Sequence, residues 1–169
     1  MITLVLGGAR SGKSAVAEAC ASRAAPPVTY LATGVVTDDD MAARIAVHRA
    51  RRPSDWSTVE APPDLPGALR ALDGTVLLDA LGTWVAAAGP DLVDDAAVAG
   101  LCRALAERPG DTVVVSDEVG LGVHPSSEVG RRFRDVLGDV NQRVAAVADE
   151  VLLVVAGRVL PLGRIEGGP

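Results

Sequence analysis

The stretch GGARSGKS, residues 7 to 14, constrains this chain more than any other. It fits the spacing G-x-x-x-x-G-K-[ST], and its flanks are those the pattern requires: an apolar run before it, Ile2 to Leu6, and an alanine-rich helical segment after it, Ser14 to Ala24. A loop of this kind turns successive backbone N–H groups onto phosphate oxygens at the positive end of a helix. Gly7, Gly8 and Gly12 allow close approach of the main chain, and Ala9, Arg10 and Ser11 complete the loop. Lys13 places a compact charge at the outer phosphates, and the Ser14 hydroxyl can ligate Mg²⁺. Of the 16 basic residues, 15 are arginine and Lys13 is the single lysine. Arginine's broad planar fork fits such a nest poorly, which accounts for the exception. A glycine-rich strand-to-helix turn without a ligand is the alternative reading of the same residues.

The remaining pattern alternates strands with helices. Short apolar runs at Val28 to Ala32, Thr75 to Leu78, Thr112 to Val115 and Val151 to Val155 read as buried strands, and Arg158 to Leu162 as a last one. Helices are expected from Asp38–Asp40 to about Arg52, where Pro53 stops the run, and over Asp64 to Leu72, Leu81 to Ala88, Asp95 to Arg108 and Ser126 to Ala148. In the last of these, Val129, Phe133, Val136, Val140, Val144 and Val147 form one apolar stripe. The expected fold class is α/β: a P-loop NTPase of RecA-like type, with a mostly parallel central sheet flanked by helices and an antiparallel C-terminal edge hairpin. With 169 residues, no repeat and no long linker, residues 1–169 read as one nucleotide-binding domain.

Composition excludes some functions. A net charge of -6 argues against a broad nucleic-acid footprint, and no apolar run approaches the roughly 18 residues of a membrane span. The N-terminus lacks the charged start of a signal peptide. Cys20 and Cys102 have no metal-type spacing and read as small hydrophobes in a reducing cytoplasm.

In a parallel sheet the strand ends converge on the edge where ligands bind. Asp79, ending the run TVLLD, is the candidate second magnesium ligand beside Ser14, and Glu118, after TVVVSD, is a candidate base. An ordinary acid at a strand–loop junction explains each of them alone almost as well.

The chain has two histidines, and one of them, His48, sits among four arginines in MAARIAVHRARRP, residues 41 to 53. On a helix, Arg44, His48 and Arg51 or Arg52 share one face. Neighbouring positive charge disfavours protonation, so the imidazole keeps a free lone pair. A neutral imidazole can attack phosphorus, with arginines stabilising the charge that develops on oxygen. From spacing alone, a solvated basic face with an incidental histidine is the more economical reading. His124, in GLGVHPSS, reads as structural or incidental.

Taken in order, GGARSGKS, YLAT (30–33), RIAVHRARRP (44–53), WSTVE (56–60), LLDAL (77–81), EVGLGV (118–123), FRDVLGDVNQRVA (133–145) and ADEVLLVVAG (148–157) resemble one known family. It is the bifunctional adenosylcobinamide kinase / adenosylcobinamide-phosphate guanylyltransferase family of cobalamin biosynthesis. The likeness implies phosphorylation of the cobinamide side-chain hydroxyl by a nucleoside triphosphate, then transfer of GMP from GTP to that phosphate through a GMP-histidine intermediate. It implies GTP and ATP as substrates, Mg²⁺ as cofactor, His48 and Lys13 as catalytic residues, and a homotrimer with nucleotide sites near subunit boundaries. The nucleotide contacts it implies are Gly7 to Ser14, Leu31, Ala32, Thr33, Arg49, Ala50, Arg51, Arg52, Glu60 and the strand end from Asp79 to Gly82. The pattern departs at Asp117, where the family usually has asparagine, at Gly82, which replaces threonine and leaves only a backbone contact, and at Ala80, which replaces cysteine. Two rivals share the loop: a monofunctional small-molecule kinase, and a RecA-like ATPase or nucleotide switch that moves a partner.

Overall fold

The structure is a computed structural model that describes residues 1–34 and 52–164. Seven strands form one sheet in the order β3-β2-β4-β5-β1-β6-β7. They are β1 (Ile2–Gly7), β2 (Val28–Ala32), β3 (Ser57–Glu60), β4 (Thr75–Asp79), β5 (Thr112–Asp117), β6 (Glu150–Val155) and β7 (Arg158–Pro161). All neighbours pair in parallel except β6 and β7, which close the sheet as an antiparallel hairpin. The described helices are α1 (Lys13–Ala21), α2 (Leu65–Ala71), α3 (Leu81–Ala88), α4 (Asp95–Glu107) and α5 (Glu128–Val147).

Handedness explains how the helices divide between the faces. The chain leaves β1 towards the β2 side of the sheet and later returns past β1 to reach β6. Right-handed crossovers in opposite directions put their helices on opposite faces. Accordingly, among the described helices, α1 packs across β5, β4 and β1 on one face, while α3, α4 and α5 pack together on the other. Strand alternation supplies both cores. Leu4, Val76, Leu78 and Val114 enter the cluster beneath α4 and α5, whereas Val5, Leu77, Val113 and Val115 meet Ala17 and Ala21 of α1.

Two differences from the sequence expectations have simple causes. The strand β3 was not expected, because its four residues are all exposed and carry no alternation of burial. Its place at the sheet edge beside β2 is set by register, Leu31 opposite Val59, and not by hydrophobicity. In α5 the stripe holds at Val136, Val140 and Val144, but Val129 is 70% exposed, because it lies in the helix's first turn outside the buried stretch from Val136 to Val144. The expected helix from Asp38 falls almost wholly on residues 35–51 and so lies outside the described residues, as does most of the tail after Gly163. Cys20 and Cys102 are free and partly buried, and burial pushes both thiols up from their usual range. Among the described residues no helix is long and apolar enough to cross a membrane.

Candidate nucleotide site

The phosphate loop leaves the centre of the sheet at the C-terminal end of β1, with β5 on one side and β6 on the other. This is the edge at which parallel α/β sheets bind ligands. The loop's shape is dictated by contacts that leave no room for side chains. A Cβ on Gly7 would collide with Ser11 Oγ and lie 2.8 Å from the Val154 carbonyl. Gly12 takes a left-handed conformation, φ 95°, and a Cβ there would come within 3.3 Å of Gly157 Cα in the β6–β7 turn. Arg10 is also left-handed, φ 55°, an unfavourable conformation for a residue with a side chain, costing of order 1 kcal/mol. Ser11 is buried, its N–H donates to the Gly8 carbonyl (3.2 Å), and its Oγ accepts from the Lys13 N–H (3.3 Å).

Helix α1 begins at Gly12 with no side-chain cap, whereas Asp64, Asp94 and Ser127 each cap the helix they precede. In that first turn the Lys13 N–H meets Ser11 Oγ and the Val16 N–H meets the Gly12 carbonyl, and an anion would suit the amides between them. The Lys13 amine sits over the loop, 3.4 Å from the Gly8 carbonyl and 2.8 Å from Asp117 Oδ1. Asp117 ends β5 directly opposite Gly7 in register.

One strand further on, Asp79 ends β4 on the same edge. Its Oδ2 accepts a hydrogen bond from the Tyr30 hydroxyl at 2.7 Å, and the Arg52 guanidinium lies 3.2 Å from the centroid of the Tyr30 ring. Burial, then the adjacent Asp79 charge, pushes the Tyr30 pKa well above the usual phenol range, so the hydroxyl keeps its proton and donates. Thr33 fixes the turn that follows β4. Its N–H donates to the Asp79 carbonyl (3.1 Å), its hydroxyl donates to the Ala80 carbonyl (2.6 Å), and the Ala80 N–H donates back to Thr33 Oγ1 (2.8 Å).

The sequence-derived residues thus fall into three groups. Gly7 to Ser14, Asp79 and Glu60 lie on or just beyond the C-terminal ends of β1, β4 and β3, and Arg52 comes to the same side through Tyr30. Leu31 and Gly82 are buried, and Thr33 is 7% exposed with its hydroxyl engaged at Ala80. Leu31 is fully buried in the core, in a strand paired on both sides. His48, Arg49, Ala50 and Arg51 lie outside the described residues. Glu118 turns its Oε1 to the Gly120 N–H, 2.6 Å away, and it is Asp117 that meets Lys13.

Two participants went unrecognised in the sequence: Asp117 as the lysine's partner and Tyr30 as the donor to Asp79. For Asp117 a signal was present, since Val113 and Val115 face α1 and period-two alternation carries Asp117 to the same side. Tyr30 lies 49 residues from Asp79, and no local pattern joins them. The two departures from the family pattern at Asp117 and Gly82 prove to be in contact, since a Cβ on Gly82 would lie 2.6 Å from Asp117 Oδ2.

The donor set suits Mg²⁺. Ser14 and Asp79 offer a hydroxyl and a carboxylate at the phosphate edge, and no cluster of three or more His, Cys, Asp or Glu side chains forms a cage among the described residues. Magnesium at nucleotide sites takes few protein ligands and completes its shell with phosphate and water.

Comparison with known proteins agrees with this geometry. A bifunctional adenosylcobalamin biosynthesis protein, CobP, of Pseudomonas aeruginosa is 41% identical over 169 residues, spanning 96% of this chain and 97% of its own. A protein of the same description, CobU, of Salmonella typhimurium is 41% identical over 177 residues, spanning 93% of this chain and 97% of its own. Among solved structures, an ATPase from a bacterial type III secretion system aligns with 90% of this chain and 50% of its own length, with a TM-score of 0.55 and 12% identity, a likeness of fold alone. Residues 3–162 match the family described as cobinamide kinase / cobinamide phosphate guanyltransferase, and the chain belongs to that family.

Proposed function

We propose that the protein phosphorylates the side-chain hydroxyl of adenosylcobinamide and then transfers GMP from GTP to the resulting phosphate through a GMP adduct on His48. The observation that carries this reading is a complete phosphate loop, with Lys13 poised over it, in a chain matched to the family over residues 3–162. In the first reaction the loop amides and Lys13 hold the triphosphate of ATP or GTP. The substrate hydroxyl attacks the γ-phosphorus in line, and the nucleoside diphosphate leaves. Such transfers depend on positioning and charge neutralisation more than on covalent help from the protein. Ser14 and Asp79 would hold Mg²⁺, which when bound offsets charge on the phosphate oxygens.

In the second reaction a neutral His48 nitrogen attacks the α-phosphorus of GTP and pyrophosphate departs. Arg49, Arg51 and Arg52 oppose the charge gathering on the phosphate oxygens. The cobinamide phosphate then takes the GMP from histidine. His48 is four residues before Arg52, a covalent reach of at most about 14 Å, and Arg52 lies on Tyr30 beside Asp79. The sheet order places Glu60 four strands from the phosphate loop, roughly 19 Å at the usual strand spacing. Two positions along one edge are thus available for two reactions at different phosphorus atoms. A cytoplasmic homotrimer belongs to the same proposal.

The test is mass spectrometry of the protein after incubation with GTP. A GMP adduct confined to the peptide containing His48, and missing from a His48→Ala protein, is the expected result. A monofunctional kinase gives no adduct, and label retained by the alanine variant rules His48 out as the nucleophile.

Tyr30→Phe tests the Asp79 arrangement separately. The ring that carries Arg52 stays, while the bond to the carboxylate goes. Hydrogen bonds to charged groups contribute about 1.5–3 kcal/mol, so the Mg²⁺ concentration for half-maximal kinase activity should shift about tenfold. An unchanged Mg²⁺ dependence would show that Tyr30 does not orient Asp79.

A further inference from the structure

The Lys13–Asp117 ion pair is an obstacle to the ligand the loop is built to take. The amine that should face the outer phosphates lies 2.8 Å from a carboxylate, with the two side chains 14% and 34% exposed. Asp117 is held there from several directions. Its strand position is fixed opposite Gly7, and the Asn141 side chain donates to its carbonyl at 3.1 Å. That asparagine is buried and also accepts from Ser116 Oγ at 2.6 Å, so the end of β5 is pinned to α5. The other carboxylate oxygen occupies space that only a glycine leaves: Gly82, in the first turn of α3, is buried, and a Cβ on it would lie 2.6 Å from Asp117 Oδ2.

We propose that Asp117, seated in the space left by Gly82, is a built-in competitor for nucleotide phosphate: it pairs with Lys13 and lowers nucleotide affinity. An arriving triphosphate has to draw the amine away, and it meets the repulsion of a carboxylate of its own sign at close range. Asp117 is thus a residue that positions Lys13, and Gly82 is the residue that admits it. The effect is several-fold, not orders of magnitude, because both partners are reached by solvent.

This rests on the loop binding GTP, and calorimetry separates the two ideas. GTP is titrated with Mg²⁺ chelated, at low salt, into the unaltered protein and into Asp117→Asn, Gly82→Ala and the double variant. Asparagine keeps the shape and removes the charge, so D117N should bind GTP about three- to tenfold more tightly. Alanine at position 82 suits a helix and pushes the carboxylate from its seat, so G82A should tighten binding in the same direction. The double variant should match D117N alone, because both changes act on one contact. A purely structural Asp117 gives the opposite sign, with looser binding and a lower melting temperature. Unchanged or weaker GTP binding by D117N, or additive gains in the double variant, overturns the proposal. Failure of the unaltered protein to bind GTP overturns the nucleotide reading itself.

Discussion

Lys13→Ala should lower the kcat/KM of phosphate transfer by about 10²–10³-fold, the loss usual for one preorganised charge or donor at a reacting centre. Two effects add. The amine no longer offsets the γ-phosphate charge as the bond to its bridging oxygen breaks. The Asp117 carboxylate, now without its 2.8 Å partner, faces the triphosphate unopposed. Lys13→Arg should not restore the rate. The nest is bounded by the Gly8 carbonyl, Ser11 and the Gly157 turn, and a planar fork cannot enter it as an ammonium does. Steady-state kinetics with a corrinoid alcohol as acceptor reads both variants. Near-normal turnover by either one would place the transferred phosphate elsewhere. Adding Asp117→Asn to the alanine variant should recover part of the lost nucleotide affinity, since it removes the second effect and leaves the first.

The largest expected effect on stability lies at the opposite edge of the sheet. Arg108 follows α4 and is 8% exposed, yet its guanidinium makes four hydrogen bonds. Nε donates to Thr112 Oγ1 (3.1 Å), Nη1 to the carbonyls of Leu69 and Leu72, and Nη2 to the Gly74 carbonyl (2.6 Å). One side chain thereby closes the end of α2, the turn into β4 and the start of β5. Burial lowers its pKa, though not far enough to remove the charge of a guanidinium. Arg108→Met keeps length and bulk but leaves three carbonyls without a donor, which should cost about 3 kcal/mol. For a chain of this size that is roughly 6–12 °C in melting temperature. Differential scanning calorimetry measures it, and GTP affinity below the transition should be unaltered. A drop of less than about 2 °C would mean that water replaces the guanidinium at those carbonyls.

How much of this was legible in the sequence depends on the distance over which each signal acts. The phosphate loop is local: its glycines and lysine lie within eight residues, and they fold as the spacing predicts. The alternation of strands and helices follows from periodicity, and the antiparallel β6–β7 hairpin from the short turn at Gly157. The strand β3 was illegible because a four-residue exposed edge strand draws its order from its neighbour. The Tyr30–Asp79 bond and the Lys13–Asp117 pair depend on which strands lie side by side, a property of the assembled sheet. Asp79 was read correctly as a strand-end acid, but its phenolic partner was not. Glu118 was read as a candidate base and Asp117 was given no role, because the order of two adjacent acids says nothing of which one meets Lys13.

The β6–β7 turn reaches back to the start of the chain. The Gly157 N–H donates to the Ser11 carbonyl at 2.8 Å, and Gly12 rests against the same turn. The signature of the site is thus written within residues 7 to 14, while the turn that rests against it comes from Gly157. A chain cut anywhere between the motif and Gly157 would carry the whole signature without the turn that closes it.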